Sequence, residues 1–412
     1  MEIQASQATF RSYLFFWSGQ LVSLLGSSIS QFVIVWWITL ETESTLFLSI
    51  ASLLGFAPIV ILGPLTGVLV DRWSRKALIG IVDLLQALTT VALIFLFWLN
   101  IIAVWQILAL LTLRGIFQAF HTPAVFAIIP TMVPKEKLSR MNGVNYFFTS
   151  VASLAGPVVA ALLLELWEIS QILWVDAVTF LVALIPLLMI VIPSVRKEQD
   201  TSSFRKQFGE GFAFIRNARG LLPFIMLATA VNFLLAPLTT LLPYFVKFDH
   251  FGLASDLAFV MAFAQGGMLA GGLLMSVKKG FERKMVMIVS STYVLFLGYI
   301  LTALTPTGAF WFMAVSGMIL TFSFPIIDVL VMTILQTVVP LKMQGRVTSV
   351  TMSLAHFAQP GGMVLAGVIT VLTGTTNLFL GCAVVGILMV TLSWVFTDIR
   401  HVEKMEVSTN SE

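Results

Sequence analysis

Twelve long apolar stretches recur from one end of this sequence to the other, and they limit the folds that it can adopt. About 20 helical residues cross the roughly 30 Å hydrocarbon core of a bilayer. Charged residues make up only 10% of the chain, whereas soluble domains carry about 25%, and the mean hydropathy is +0.98. The sequence therefore predicts an all-α membrane protein with twelve transmembrane helices. The predicted spans are Ser12–Thr39, Leu46–Val70, Ala77–Leu99, Ile101–Phe120, Gly143–Leu164, Ile169–Ile192, Leu221–Val246, Ser255–Val277, Met285–Leu304, Ala309–Met332, Val347–Leu372 and Asn377–Phe396.

The basic residues predict how the chain is oriented. If the N-terminus is inside the cell, all but two of the 23 Lys and Arg residues fall in inner segments, and the exceptions are Lys247 and Arg114. Segments rich in Lys and Arg stay on the cytoplasmic side of a membrane. We therefore expect an even number of spans, with both termini cytoplasmic.

The two halves of the chain look like repeats of each other. The segment Thr131-Met-Val-Pro134 recurs as Thr337-Val-Val-Pro340, at an offset of 206 residues, which is half of the 412-residue chain. Parallel repeats of this kind build two bundles of membrane helices. The expected divisions are an N-terminal six-helix bundle at 1–193, a cytoplasmic linker at 194–220, a C-terminal six-helix bundle at 221–400 and a disordered cytoplasmic tail at 401–412.

The linker has two parts. Residues 196–203 are polar and predicted to be flexible. After them, four apolar residues at spacings of 4, 4 and 3 fall on one face of a helix with basic neighbours. This pattern predicts an amphipathic helix on the inner leaflet that serves as a tether. The four residues are Phe204, Phe208, Phe212 and Ile215.

A short charged hairpin joins the second and third predicted spans. Residues 67–78 read GVLVDRWSRKAL, with opposite charges packed between two apolar stretches. This segment resembles the signature loop of the major facilitator superfamily, Gly-x-Leu-x-Asp-Arg-x-Gly-Arg-Arg/Lys, with Ser74 in place of the usual glycine. The resemblance implies the fold of that superfamily and a conformational switch, while a solvated turn is the alternative. The matching residues are Gly67, Leu69, Asp71, Arg72, Arg75 and Lys76.

Three ionisable residues inside the predicted spans are candidates for proton coupling. Arg114 matches the superfamily's fourth-helix motif, in which an arginine is tied to proton coupling, and an unpaired cation at that depth is costly. Counted from the predicted helix ends, Asp83 lies at a height comparable to Arg114, so we expect that the two could pair. Asp176 lies in the outer half of the sixth span, too high to share that level. A purely structural role is the alternative for each, and His121 and Asp328 are expected near inner helix ends.

The fifth span contains a second motif. Gly156-Pro157 resembles the glycine–proline motif of the superfamily's proton-coupled drug antiporters, although alanines (Ala152, Ala160 and Ala161) stand where that motif has flanking glycines. Small residues permit close helix contact, and proline can bend a helix. Ordinary helix packing is the alternative interpretation.

Polar stripes on the first and seventh spans predict a substrate cavity. These spans are repeat mates, so the stripes could form two walls of one cavity, or each could pack against other helices. A histidine beside a glutamine in the eleventh span is a further candidate contact. The candidate cavity residues are Gln20, Ser23, Ser27, Gln31, Thr229, Asn232, His356 and Gln359.

Nearly all of the chain resembles the bacterial macrolide-efflux proteins, most clearly in residues 50–76 and in the run RGIFQAFHTPA from residue 114. This resemblance implies proton-coupled efflux of amphipathic, macrolide-like drugs by alternating access, in the inner (cytoplasmic) membrane of a bacterium. The alternatives are a transporter of another solute, such as a metabolite exporter, an importer or a lysophospholipid flippase. A membrane receptor would need a signalling domain, and none is visible.

Several other classes of function find no support in the sequence. The single cysteine, Cys382, excludes an internal disulfide, and no metal-spaced cluster, phosphate loop or nucleophile triad is present. We therefore expect no enzymatic activity, no metal, no cofactor and no nucleic-acid partner. The expected partners are an amphipathic small molecule, protons and the lipid bilayer, and the expected state is a monomer.

Overall fold

The computed structural model describes residues 7–192, 204–278, 281–340 and 343–404, and every regular element in these ranges is helical. Twelve helical segments of the described ranges are long and apolar enough to cross a membrane, which confirms the predicted fold class. The helices are α1 (Gln7–Thr42), α2 (Thr45–Arg72), α3 (Arg75–Trp98), α4 (Val104–Met132), α5 (Lys135–Leu164), α6 (Ile169–Met189), α7 (Phe204–Asn217), α8 (Leu221–Tyr244), α9 (Ala254–Val277), α10 (Lys284–Ala303), α11 (Phe310–Val338), α12 (Gln344–Phe357), α13 (Gln359–Thr373) and α14 (Thr375–Phe396). A π-helical segment, Phe245–Asp249, extends α8, and a 3₁₀ helix, Asp398–Lys404, follows α14.

The chain forms two compact units, Met1–Glu198 with Leu253–Ala258 and Gln199–Gly252 with Phe259–Glu412. In the first unit, α1 packs against α5 and α6, α3 against α4 and α6, and α2 against α4. In the second, α8 packs against α12, α13 and α14, and α10 against α11 and α14. Adding 206 to the bounds of α4 gives the bounds of α11, so the offset seen in the sequence also relates helix positions.

Three helices extend well beyond the predicted spans. The fourth span was expected to end at Phe120, but α4 continues to Met132, and α11 continues past the expected end at Met332 to Val338. Helix α5 begins at Lys135, before the expected start at Gly143. Proline explains the first error: α4 contains Pro123 and Pro130, which suggest a helix end, although membrane helices tolerate proline where neighbours satisfy the freed backbone groups.

The eleventh span was predicted as one continuous helix, and this prediction is wrong in detail. Helix α12 ends at Phe357 and α13 begins at Gln359, with the break at Ala358. Pro360 causes the break, because it has no N–H to donate to the carbonyl of His356 four residues earlier. The N–H of Ala358 donates to that carbonyl instead, which tightens the turn.

The linker helix packs against the second unit. Ile215 of α7 is fully buried, and a side chain at Gly211 would meet the backbone of Arg346 at the start of α12. An ion pair joins Arg346 Nη1 to Glu210 Oε2 at 2.5 Å. The helix predicted as a tether on the inner leaflet is therefore fixed to α12, while the flexible run predicted at 196–203 lies outside the described residues.

The tail predicted to be disordered begins with ordered residues. The 3₁₀ helix reaches Lys404, and its Ile399 and Val402 side chains are fully buried. Asp398 at its start accepts two hydrogen bonds from the Arg219 guanidinium, at 3.1 and 3.3 Å. Residues 405–412 lie outside the described part of the chain.

Exposed apolar side chains cover the outer faces of the helices. Ile61, Leu188 and Val277 are among many large hydrophobic residues with more than half of their surface exposed, as lipid contact requires. Trp98 at the end of α3 and Trp105 at the start of α4 are also exposed, on the same side of the first unit. Tryptophan favours the boundary between lipid and water, so these two residues mark one membrane surface.

His250 gives this fold a pH dependence that can be measured. It follows the π-helical segment, is buried against the rings of Phe245 and Phe310, and lies outside the membrane-spanning segments. Burial lowers the pKa of His250 from its ordinary 6.5, although the neighbouring Asp249 opposes this shift. The unfolded chain therefore binds more protons than the folded chain between the lowered pKa and 6.5, so stability rises with pH in that window.

We expect the thermal midpoint of the wild-type protein in detergent to fall as the pH drops below 6.5. His250→Phe keeps an aromatic ring but cannot be protonated, so the midpoint should depend less steeply on pH in this variant. Equal slopes for the wild type and the variant would refute this assignment.

Candidate functional site

A buried ion pair lies at the centre of the first unit. Arg114 of α4 and Asp176 of α6 approach to 3.2 Å between Nη2 and Oδ2, and their side chains are only 12% and 7% exposed. Thr90 of α3 donates to the same carboxylate oxygen at 2.8 Å, and Ser27 of α1 donates to the other at 2.9 Å. Arg114 also donates to the Thr90 hydroxyl at 3.1 Å. Four helices therefore meet at one carboxylate.

The expectation that Asp83 could be the partner of Arg114, with Asp176 too high, is wrong. Because α4 begins at Val104 and ends at Met132, Arg114 lies in the half of α4 nearer to its first residue. Asp176 is seven residues from the start of α6, which begins on the same side. Side chains lean towards the N-terminus of their helix, so the long Arg114 side chain reaches the level of Asp176.

Asp83 belongs to a second polar cluster, about two turns nearer to the first residue of α3 than Thr90. His121 of α4 approaches Asp83, with 2.9 Å between Nε2 and Oδ1, and Gln20 of α1 donates weakly to the other carboxylate oxygen at 3.5 Å. His121 was expected at a helix end, but it lies eleven residues before the end of α4. The histidine is thus a partner of a buried carboxylate and not an interfacial residue.

A pair of glutamines fills the space between these clusters. Gln86 of α3 donates to Gln118 of α4 at 3.3 Å, and Gln118 donates to Thr122 at 2.9 Å. These residues and Thr90 were not predicted as site residues from the sequence. A signal was present, because polar residues fall at 83, 86 and 90 of one helix and at 114, 118 and 121 of the next. Mirrored spacings of this kind place residues opposite each other on two antiparallel helices.

The ion pair balances two charges that are buried among membrane helices. An ionised Asp176 is stabilised by its cationic partner and by two hydroxyl donors. Protonation would remove the charge that balances Arg114, and a buried cation without a partner costs several kcal/mol. The charge balance of this one pair is therefore linked to the mutual packing of α1, α3, α4 and α6.

The charged hairpin is only partly described. Gly67, Asp71 and Arg72 lie in the last turns of α2, and their side chains fall outside the described part of the structure. Arg75 Nη1 donates to the carbonyl of Ala127 in α4 at 2.7 Å. Lys76 Nζ donates to the carbonyls of Leu188 and Ile190 at 2.8 and 2.6 Å, at the end of α6. These carbonyls have no partner within the helix, and a cation suits the negative end of its dipole.

Gly156 is a point of close approach between α5 and α1. A Cβ atom at Gly156 would lie 2.1 Å from Ser28 Oγ and 2.5 Å from Ser28 Cβ. Pro157 is buried beside it, inside the helix. At the equivalent position of the second unit, Gly362 would meet the Phe233 carbonyl at 2.4 Å. The glycine thus has a packing role, and its part in transport stays a prediction.

The polar stripe of α1 divides into two groups. Gln20 and Ser27 bond to the carboxylates of Asp83 and Asp176, which favours the alternative that the stripe packs within its own bundle. Ser23 is half-buried, and Gln31 is exposed. A role for the last two in a substrate cavity stays a prediction.

The candidate cavity residues of the second unit are also partly occupied. Thr229 of α8 donates to the carbonyl of Leu354 in α12 at 3.0 Å, whereas Asn232 donates to the carbonyl of Ala228 in its own helix. His356 is exposed, and its Nδ1 lies 3.3 Å from Gln359 Oε1 across the break between α12 and α13. These two residues are therefore held together beside an interrupted helix.

Comparison with known proteins establishes the family. A model of the Major Facilitator Superfamily matches residues 16–360. The chain belongs to this superfamily. As a major facilitator protein it is a multi-pass membrane transporter, and the resemblance carried by the charged hairpin is confirmed.

Two relatives that match most of this chain share the same functional name. Macrolide efflux protein A of Streptococcus pyogenes is 31% identical over 395 residues, which is 95% of this chain and 96% of the relative. The protein of the same name from Enterococcus faecalis is 31% identical over 316 residues, 76% of this chain and 97% of the relative. Among solved structures, the nucleoside transporter NupG has a TM-score of 0.67 at 13% identity, covering 93% of this chain and 98% of that one. At that identity, the last likeness shows the major facilitator fold alone.

Proposed function

We propose that this major facilitator protein exports amphipathic, macrolide-like drugs across the bacterial cytoplasmic membrane in exchange for protons. The two relatives named as macrolide efflux proteins support the substrate class, because both match this chain over most of their length. The buried pair of Arg114 and Asp176 supports the coupling to protons, and it is the observation on which the proposal chiefly rests.

Comparison of the two repeats favours a role of this pair in transport and not in folding alone. The second unit repeats the helix positions of the first at an offset of 206. At the positions equivalent to Arg114 and Asp176 it has Leu320 and Cys382, which are apolar and buried. One repeat thus forms its bundle without these charges, and a buried ion pair is in general weak evidence for stability. Ionisable residues inside a membrane are costly to bury, and they are therefore candidates for a functional role.

The mechanism follows from the partners of Asp176. In its ionised form, the carboxylate holds Arg114, Thr90 and Ser27, and therefore fixes α1 against α3 and α4. When a proton binds, Arg114 is released and the four helices favour a second arrangement. Alternation between the two arrangements exposes a drug site to one side of the membrane and then to the other. The hairpin with Asp71 closes the inner side in one of the two states.

Everted membrane vesicles test the direction and the coupling together. We expect radiolabelled macrolide to accumulate inside vesicles that contain the protein when their lumen is acidified, and a protonophore should abolish the accumulation. Vesicles without the protein are the control. An importer would not accumulate the drug in everted vesicles, and a lipid flippase would not respond to the macrolide. Either result would refute the proposal.

A further inference from the structure

A cavity in the second unit contains a carboxylate that the proton-coupling cluster does not use. It lies on α9 and α11 and has a volume of about 270 Å³. This volume holds one end of an amphipathic drug, not a whole macrolide. The lining residues are Ala264, Gln265, Met268, Thr321, Phe324 and Asp328.

The walls of this cavity are held close together by two glycines. A Cβ atom at Gly267 or at Gly271 would lie 2.3 Å from the carbonyl oxygen of Met318 or Phe322, respectively, so α9 and α11 touch through their backbones. The Thr321 hydroxyl also donates to the carbonyl of Ala264 at 2.5 Å. Such small-residue contacts give close and rigid helix pairs in membranes. The cavity beside them is therefore a feature of the fold.

Asp328 is the charged group of this cavity. The sequence suggested an interfacial residue near a helix end, but α11 continues ten residues beyond Asp328, about 15 Å. Among the described residues, no basic side chain lies within ion-pair distance of its carboxylate, in contrast to Asp176. His356 of α12 is the titratable group that interacts with it over a longer distance.

A carboxylate that has no basic partner among the described residues can take the cationic group of a ligand as its counter-ion. Met268 and Phe324 offer the adjacent apolar surface, and an aromatic ring also attracts cations. Asp328 is an exposed residue that lines the cavity, so a ligand there can reach its carboxylate. These features together fit a ligand with one positive charge on an apolar body.

We propose that this cavity binds the positively charged nitrogen of an amphipathic substrate, with the Asp328 carboxylate as its counter-ion. The proposal rests on the proposed export function, and it adds that charge is recognised in the second unit while protons are exchanged in the first. Gln265 and Thr321 supply polar contacts around the charge.

Binding to the purified protein in lipid nanodiscs, without a pH gradient, tests this assignment. The probes are a macrolide that carries a secondary basic amine, the neutral N-acetyl derivative of the same macrolide, and tetraphenylphosphonium as a permanent cation. We expect Asp328→Asn to weaken binding of the two cationic probes about tenfold or more, as for loss of a charge-assisted contact. Binding of the neutral derivative should change less than about twofold. Asp328→Glu should retain most of the affinity for the cations, and Glu282→Gln, which removes an exposed carboxylate, should change nothing.

Equal weakening of charged and neutral probes by Asp328→Asn would overturn the assignment, and so would unchanged binding of the cations. If the wild-type protein binds tetraphenylphosphonium in an Asp328-dependent way but binds neither macrolide, the cation site stands and the macrolide substrate fails. Suppose that a pH gradient drives export of the neutral macrolide in vesicles, and that Asp328→Asn leaves cation binding unchanged. The export function then stands and the cation site fails. Absence of Asp328-dependent binding of every cationic probe also refutes the site.

Discussion

Asp176→Asn should reduce macrolide accumulation in acid-loaded everted vesicles at least about tenfold and remove its response to the pH gradient. The amide cannot lose and regain a proton, and it leaves Arg114 without an anionic partner. The remaining hydrogen bonds from Thr90 and Ser27 cannot replace that charge. Glu165→Gln is the matched control, because Glu165 is exposed at the end of α5, and it should transport as the wild type does.

A second variant separates coupling from stability. Loss of one partner of a buried ion pair costs about 3–5 kcal/mol, whereas replacement of both charges is often neutral. Arg114→Gln combined with Asp176→Asn should therefore melt closer to the wild type than Asp176→Asn alone, yet still fail to respond to a pH gradient. If the double variant regained gradient-driven transport, the pair would be a structural element only.

Gly156→Ala should destabilise the protein by about 1–3 kcal/mol, the usual cost of an overpacked contact. The added methyl group would lie 2.1 Å from Ser28 Oγ and 2.5 Å from Ser28 Cβ, so rotation of the Ser28 hydroxyl alone cannot relieve the clash. The readout is the thermal midpoint in detergent. Gly143→Ala, on the same helix, is the matched control: a Cβ there meets nothing within 4 Å, and the midpoint should stay level or rise, because alanine favours helix.

Ser28→Gly provides the complementary test. This change removes the two atoms nearest to the added methyl group, so the double variant Gly156→Ala with Ser28→Gly should be more stable than the sum of the two single effects predicts. A coupling of about 1 kcal/mol or more in this direction would support direct contact between α5 and α1 at this point. Additive effects would show that Gly156 matters for another reason.

The sequence predicted the fold more fully than the site. Twelve apolar stretches and one-sided basic residues define the span count, because a bilayer imposes both. The partner of Arg114 could not be predicted, since it depends on the true start and end of α4, which Pro123 and Pro130 obscure. An error of twelve residues at a helix end moves a side chain by about 18 Å along the axis. That error is enough to place Asp83, and not Asp176, at the expected level of Arg114.

The break between α12 and α13 and the cavity around Asp328 were missed for related reasons. Pro360 directly follows Gln359 and lies four residues after His356. Membrane helices often continue through proline, so this residue alone did not predict a break. Asp328 looked interfacial because the predicted end of its helix was six residues too early. Its cavity depends on the contact of α9 with α11 at Gly267 and Gly271, which local sequence patterns do not specify.

Proton release upon drug binding tests the central claim most directly. Purified protein in weakly buffered detergent, acidified until Asp176 carries a proton and then mixed with macrolide, should release close to one proton per bound drug, as a pH-indicator dye would show. Asp83→Asn should release the same amount, and Asp176→Asn should bind the drug but release almost none. The account would be contradicted if Asp176→Asn released protons as the wild type does, or if Asp83→Asn alone lost the release.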